Sequence, residues 1–122
     1  MDIAYWVVAG LLALFYLYSG ALKVTQSQEK LAPMMTWAGT AVPMAGVRTI
    51  GVLEVLGAVG LILPPLTGVA PVLAVVAAIG LTVLQVLATG FHARRGETKD
   101  LWLNVVLVVV AGALVWLAAA VI

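Results

Sequence analysis

Six side chains carry most of the chemistry this chain can offer: Lys23, Arg48, Glu54, Gln85, His92 and Asn104. Each lies inside or beside a long apolar run, where polar groups are expensive and usually face the interior of a helical bundle. Tyr16, Ser19 and Lys23 fall at i, i+3 and i+7, which on a helix is one stripe. Thr82, Gln85, Thr89 and His92 fall at i, i+3, i+7 and i+10, a second stripe. Glu54 follows Arg48 by about six residues, roughly 9 Å deeper at helical rise, and Asn104 sits one turn beyond Asp100. Lys23, Gln85 and His92 can donate hydrogen bonds to carbonyl oxygens while apolar walls hold a tail. The chemistry this predicts is binding of a small amphiphile, with no catalytic residue.

Other chemistries are excluded. The chain has one histidine and no cysteine, so neither a metal site nor thiol chemistry is expected. GxSxG, Walker A, HExxH and nucleotide fingerprints are absent from the sequence. A net charge of +1 offers no field for nucleic acid.

The elements that must position these residues are read from hydrophobicity. Of 122 residues, 65% are hydrophobic and 9% charged, against about a quarter charged in an ordinary soluble domain. A fold this small cannot hide so much apolar surface from water, so lipid is the solvent for most of it. Four runs, at about 3–22, 48–63, 69–90 and 101–122, predict an all-α integral membrane four-helix bundle in a single domain. The first lacks the positive flank of a signal peptide and has the length of a span. The second, ending before Pro64-Pro65, is the shortest, which implies little tilt or a start a few residues earlier near Pro43; Pro64 to Gly68 reads as a tight turn, and Pro71 falls in the first turn of the third run. Between the first two runs, Leu31, Met34, Met35 and Trp37 suggest an interfacial helix over 28–38, with an irregular loop as the equal alternative because of Pro33 and Gly39.

All six lysines and arginines fall in the segments after the first and third runs. The positive-inside rule then puts those segments in the cytoplasm and both termini outside. Antiparallel neighbours bring the polar stripes to the same leaflet, so Lys23, Glu54, Gln85, His92 and Asn104 predict one polar chamber in the cytoplasmic half, with Arg48 a sixth ligand-binding candidate, opposite a dry half around Leu61, Ile62, Val72, Leu73, Val115 and Leu117. Plainer readings stand beside this. Glu54 is either protonated or paired with Lys23 or Arg48, and such a pair can simply staple helices. Gln85 and Asn104 suit interhelical hydrogen bonding, and His92 an exposed interfacial position. Arg94-Arg95 reads as a topology signal. Tyr5, Trp6, Trp37, Trp102 and Trp116 suit interfacial belts, although Trp102 is placed to floor the chamber. Gly51, Gly57, Gly60 and Ala58 give the second helix a thin surface that serves the monomer or a homodimer equally.

YLYSGALKV at the end of the first run, RTIGVLEVLGAVGLILP across the second and HARRGETKDLWLN leading into the fourth resemble the DoxX-like family of four-helix membrane proteins. The resemblance implies a bundle in the bacterial inner membrane, with Lys23, Arg48, Glu54, His92 and Asn104 at the family's recurring polar positions. The family takes its name from a subunit of a thiosulfate:quinone oxidoreductase, and animal relatives act as membrane chaperones for receptor assembly. Two functions are therefore expected. One is an accessory subunit that binds a quinone or lipid headgroup beside a redox partner. The other is an assembly factor with a purely structural polar cluster.

Overall fold

A computed structural model describes residues 3–96 and 101–121. Its helices are α1 (Ile3–Thr25), the single turn α2 (Gln28–Leu31), α3 (Met44–Thr67), α4 (Leu73–Arg94) and α5 (Leu101–Val121). Four are long and apolar enough to cross a membrane. α1 packs against α3 and α5, and α4 against the same two, so the long helices close a ring in chain order.

The interior is one seam. Its buried positions are Tyr5, Ala9, Leu12, Ala13, Tyr16, Gly20 and Lys23 on α1, and Val47, Gly51, Glu54, Ala58 and Leu61 on α3. α4 adds Ala74, Ala78, Leu81 and Gln85, and α5 adds Leu107, Ala111, Leu114 and Ala118. Nearly every step is three or four residues in alternation, the spacing of left-handed knobs-into-holes packing. Alanine or glycine recurs on every helix of the seam, between larger side chains such as Tyr5, Tyr16, Leu61 and Leu114, because lipid provides no hydrophobic drive between helices and close van der Waals approach must hold them together. Many other large apolar side chains, such as Leu11, Leu14, Leu56, Val76, Leu87 and Val109, face outward.

The end of α3 and both ends of α4 differ from the sequence expectation, while the start of α3 falls at the earlier of its two expected positions. α3 begins at Met44 and runs through Pro64 and Pro65 to Thr67, ending on Gly68 in the left-handed conformation. The expected tight turn at the prolines is therefore the last turn of the helix. Pro65 has no N–H for the carbonyl of Leu61, four residues back. The Tyr5 hydroxyl donates to that same carbonyl at 2.6 Å instead. Tyr5 is fully buried, so it is a core residue and not a belt residue. Tyr5→Phe is expected to lower thermal stability by about 1–3 kcal/mol by orphaning a buried carbonyl. In a Pro65→Ala background, where the restored amide takes over, the same substitution should cost little. α4 starts at Leu73 and ends at Arg94, so Pro71 precedes the helix.

The segment between α1 and α3 is helical only over Gln28–Leu31, opened by Ser27, whose hydroxyl accepts from the Lys30 amide. Beyond Leu31 it proceeds by turns. The expected helix over 28–38 is thus cut short: Pro33 cannot donate back to Glu29, and Gly39 takes a positive φ of 77°. Turned in this way, the segment buries Leu31 and Ala38 with Val47 in a small second core backed by Leu22, Met35 and Trp37.

Candidate functional site

The ends of α1 and α4 and the starts of α3 and α5 lie together, and the described basic residues Lys23, Lys30, Arg48, Arg94 and Arg95 sit at or near this end. Lys99 and Asp100 lie outside the described residues. Two hydrogen-bond networks occupy the interior here, each starting from α1.

The first joins α1 to α3. Lys23 Nζ lies 2.7 Å from Glu54 Oε1, with both side chains buried. Lys23 also donates to Ser19 Oγ at 2.6 Å, and Ser19 reaches both carboxylate oxygens at 3.3 and 3.4 Å. Ser19 and Lys23 are four residues apart and so stack on one helical face. Of the two partners open to Glu54, the structure selects Lys23. Arg48 turns away: its guanidinium donates to the carbonyls of Lys23 at 2.7 Å and Gln26 at 2.5 Å. It thereby caps the end of α1, where unpaired carbonyls and the negative end of the helix dipole favour a cation.

The second network crosses from α1 through α4 to α5. The fully buried Tyr16 donates to Gln85 Oε1 at 2.8 Å, and Gln85 Nε2 donates to Asn104 Oδ1 at 2.9 Å. In this arrangement the Gln85 amide accepts from α1 and donates to α5. Thr82 and Thr89, on the same stripe, bond back to carbonyls of their own helix and hold nothing across the bundle.

Between the networks lies a cavity of about 450 Å³, within the usual range for small-molecule sites. Lys23, Glu54, Gln85, His92 and Asn104 line it together with Ser19, and Arg48 does not. Its remaining walls are apolar or aromatic, including Phe15, Trp37, Phe91, Leu103 and Leu107. Trp37 meets the rings of Phe91 and His92 edge-on, each at 6.1 Å between centroids, and Phe91 meets His92 at 5.5 Å. The segment after α2 thus lays an aromatic cluster against the chamber. Trp102, expected as a possible floor, is largely exposed on the outer face.

Five of the six sequence candidates therefore meet around one cavity. Ser19 and Tyr16 lay on the recognised stripe and prove to be network members. Trp37 at the chamber had no local signal, because only the folding of its loop brings it there. Among the described residues no cluster of metal-ligating side chains occurs.

Four apolar helices closed around an apolar core, with buried polar side chains at its basic end, define a small multi-pass helical membrane protein. The chain belongs to the DoxX-like family, whose model matches residues 7–118. No curated protein and no solved structure matches it significantly.

Proposed function

We propose that this protein is a non-catalytic, amphiphile-binding membrane subunit whose chamber receives a planar head bearing carbonyl oxygens, of the quinone type, beside a redox partner. The observation that supports it is the convergence of two donor-bearing networks on one cavity with aromatic walls. Lys23 uses two of its three N–H bonds on Ser19 and Glu54. Among the described residues the side-chain nitrogen of Asn104 has no hydrogen-bond partner, and its buried polar neighbours leave none unsatisfied. Spare donors thus remain for acceptors on a ring that fits between Phe15, Phe91 and Trp37.

His92→Leu should weaken binding of a quinone in nanodiscs by about 1–3 kcal/mol with little loss of folded protein, whereas Gln85→Leu also strands the buried Tyr16 hydroxyl and should lower thermal stability by a similar amount. Saturable quenching of tryptophan fluorescence measures the binding. Failure of the unaltered protein to bind quinone or to co-purify with any amphiphile would remove the reading.

The second reading, a membrane-protein assembly factor, draws on a specific feature. Lys23 with Glu54, and Gln85 with Tyr16 and Asn104, satisfy one another, as a purely structural cluster would. On that reading the chamber substitutions leave recovery of a partner protein unchanged.

By the positive-inside rule we assign the basic end to the cytoplasm and both termini to the outside of the bacterial inner membrane. Cysteines placed at Thr40 and Thr67, exposed residues near opposite ends of α3, test it. An impermeant thiol reagent on intact cells should label the second and not the first.

A further inference from the structure

A second depression, apolar and about 620 Å³, runs along the outer seam of α3 and α4. Its wall includes Gly57, Gly60, Gly80 and Pro64. Leu84 and Leu87 belong both to this groove and to the chamber, and Leu87 is mostly exposed. The polar chamber and the lipid-facing groove therefore adjoin across two leucine side chains. Along α4 the groove extends from Leu73 to Leu87, about 21 Å at helical rise. That exceeds one leaflet of hydrocarbon, about 15 Å as half of a roughly 30 Å core.

We infer that the chamber and groove form one site for a single tailed molecule, a quinone whose head occupies the chamber and whose hydrocarbon tail passes Leu87 to lie along α3 and α4. This rests on the reading of the chamber given above and adds the route and chemistry of the tail. A head inside the bundle needs an exit for its tail, and α3 and α4 provide one bordering the head site. Lipid tails are as apolar as leucine, so the groove supplies shape and route and little net hydrophobic gain. It selects molecules with one long tail over tail-less rings by where they fit.

Gly80 supplies a clean obstruction. A side chain there meets nothing within 4 Å, so it would project into the groove without disturbing helix packing, whereas one at Gly57 or Gly60 would strike Leu81 or Ala77. The probes are 2,3-dimethoxy-5-methylbenzoquinone and its decyl derivative, titrated by tryptophan quenching in nanodiscs holding the full chain. Gly80→Leu should weaken the decyl probe about tenfold, as an overpacked site does, and leave the tail-less probe unchanged. Equal binding of the decyl probe to both proteins overturns the groove while the chamber reading stands. If the unaltered protein binds neither probe, the chamber reading fails and the groove with it. A decyl quinone with a diazirine at the tail end should, on the unaltered protein, crosslink to groove residues of α3 between Leu56 and Leu63 or of α4 between Val76 and Gly80. Labels spread over all four spans would also overturn the inference.

Discussion

Lys23→Met is expected to destabilise the protein by about 3–5 kcal/mol, because it leaves the Glu54 carboxylate buried without its partner. The magnitude follows from the surroundings. Glu54 lies between α1 and α3 with a side chain only 6% exposed, and the Arg48 guanidinium is committed to the carbonyls that end α1. Ser19 alone cannot neutralise a carboxylate. Glu54→Gln leaves the ammonium of Lys23 stranded in the same way, although a long lysine near a helix end can extend toward the interface and soften the loss.

Replacing both residues together should recover much of the stability, since a buried pair replaced by apolar or neutral groups is often close to neutral. Thermal unfolding in detergent of the two single variants and the double variant makes this a cycle whose coupling term measures the pair. Single variants that melt with the unaltered protein would show that the pair holds nothing. Arg48→Met removes a helix cap and no ion pair, and should cost about 1–2 kcal/mol at most.

Much of this arrangement was legible in the sequence, for physical reasons that can be located. Spans are legible because lipid demands long apolar runs with satisfied backbones, and all four long helices fall where those runs lie. The meeting of Lys23, Glu54, Gln85, His92 and Asn104 followed from helical periodicity combined with antiparallel neighbours. Arg48 escaped because charge alone does not say whether a guanidinium seeks a carboxylate or a helix end. Both acceptors were near, and only the position of the Lys23 and Gln26 carbonyls decides between them. Tyr5 escaped for a related reason. A tyrosine near a helix start suits the membrane interface, yet the vacancy left by Pro65 at the Leu61 carbonyl lies 56 residues away in sequence. The loop was half legible: Pro33 and Gly39 marked where a helix must stop, but nothing local told that Trp37 would turn inward to meet Phe91 and His92.

The thin surface of the second span left two uses open, packing inside the monomer or between copies, and the contacts favour the first. A Cβ on Gly20 would lie 2.7 Å from the Gly51 carbonyl oxygen, and one on Gly51 would lie 2.8 Å from the Gly20 carbonyl oxygen. Each glycine faces the other's backbone across the α1–α3 seam, and backbone in a helix cannot swing aside as a side-chain tip can. Gly20→Leu and Gly51→Leu should therefore destabilise by about 3 kcal/mol or more, the upper end of overpacking penalties. Both would also pull Lys23 from Glu54, because the pair bridges the same seam one turn along. Gly10→Leu and Gly112→Leu are the controls. Side chains there meet nothing within 4 Å, and leucine is the better helix former by close to 1 kcal/mol, so neither should lower the melting temperature. A dimer interface built on the α3 glycines would give a different pattern: substitution at Gly51 would change the oligomeric state in detergent and leave the monomer's melting intact. Light scattering and thermal unfolding of the same four variants separate the two, and loss of stability without change of mass is the result expected here.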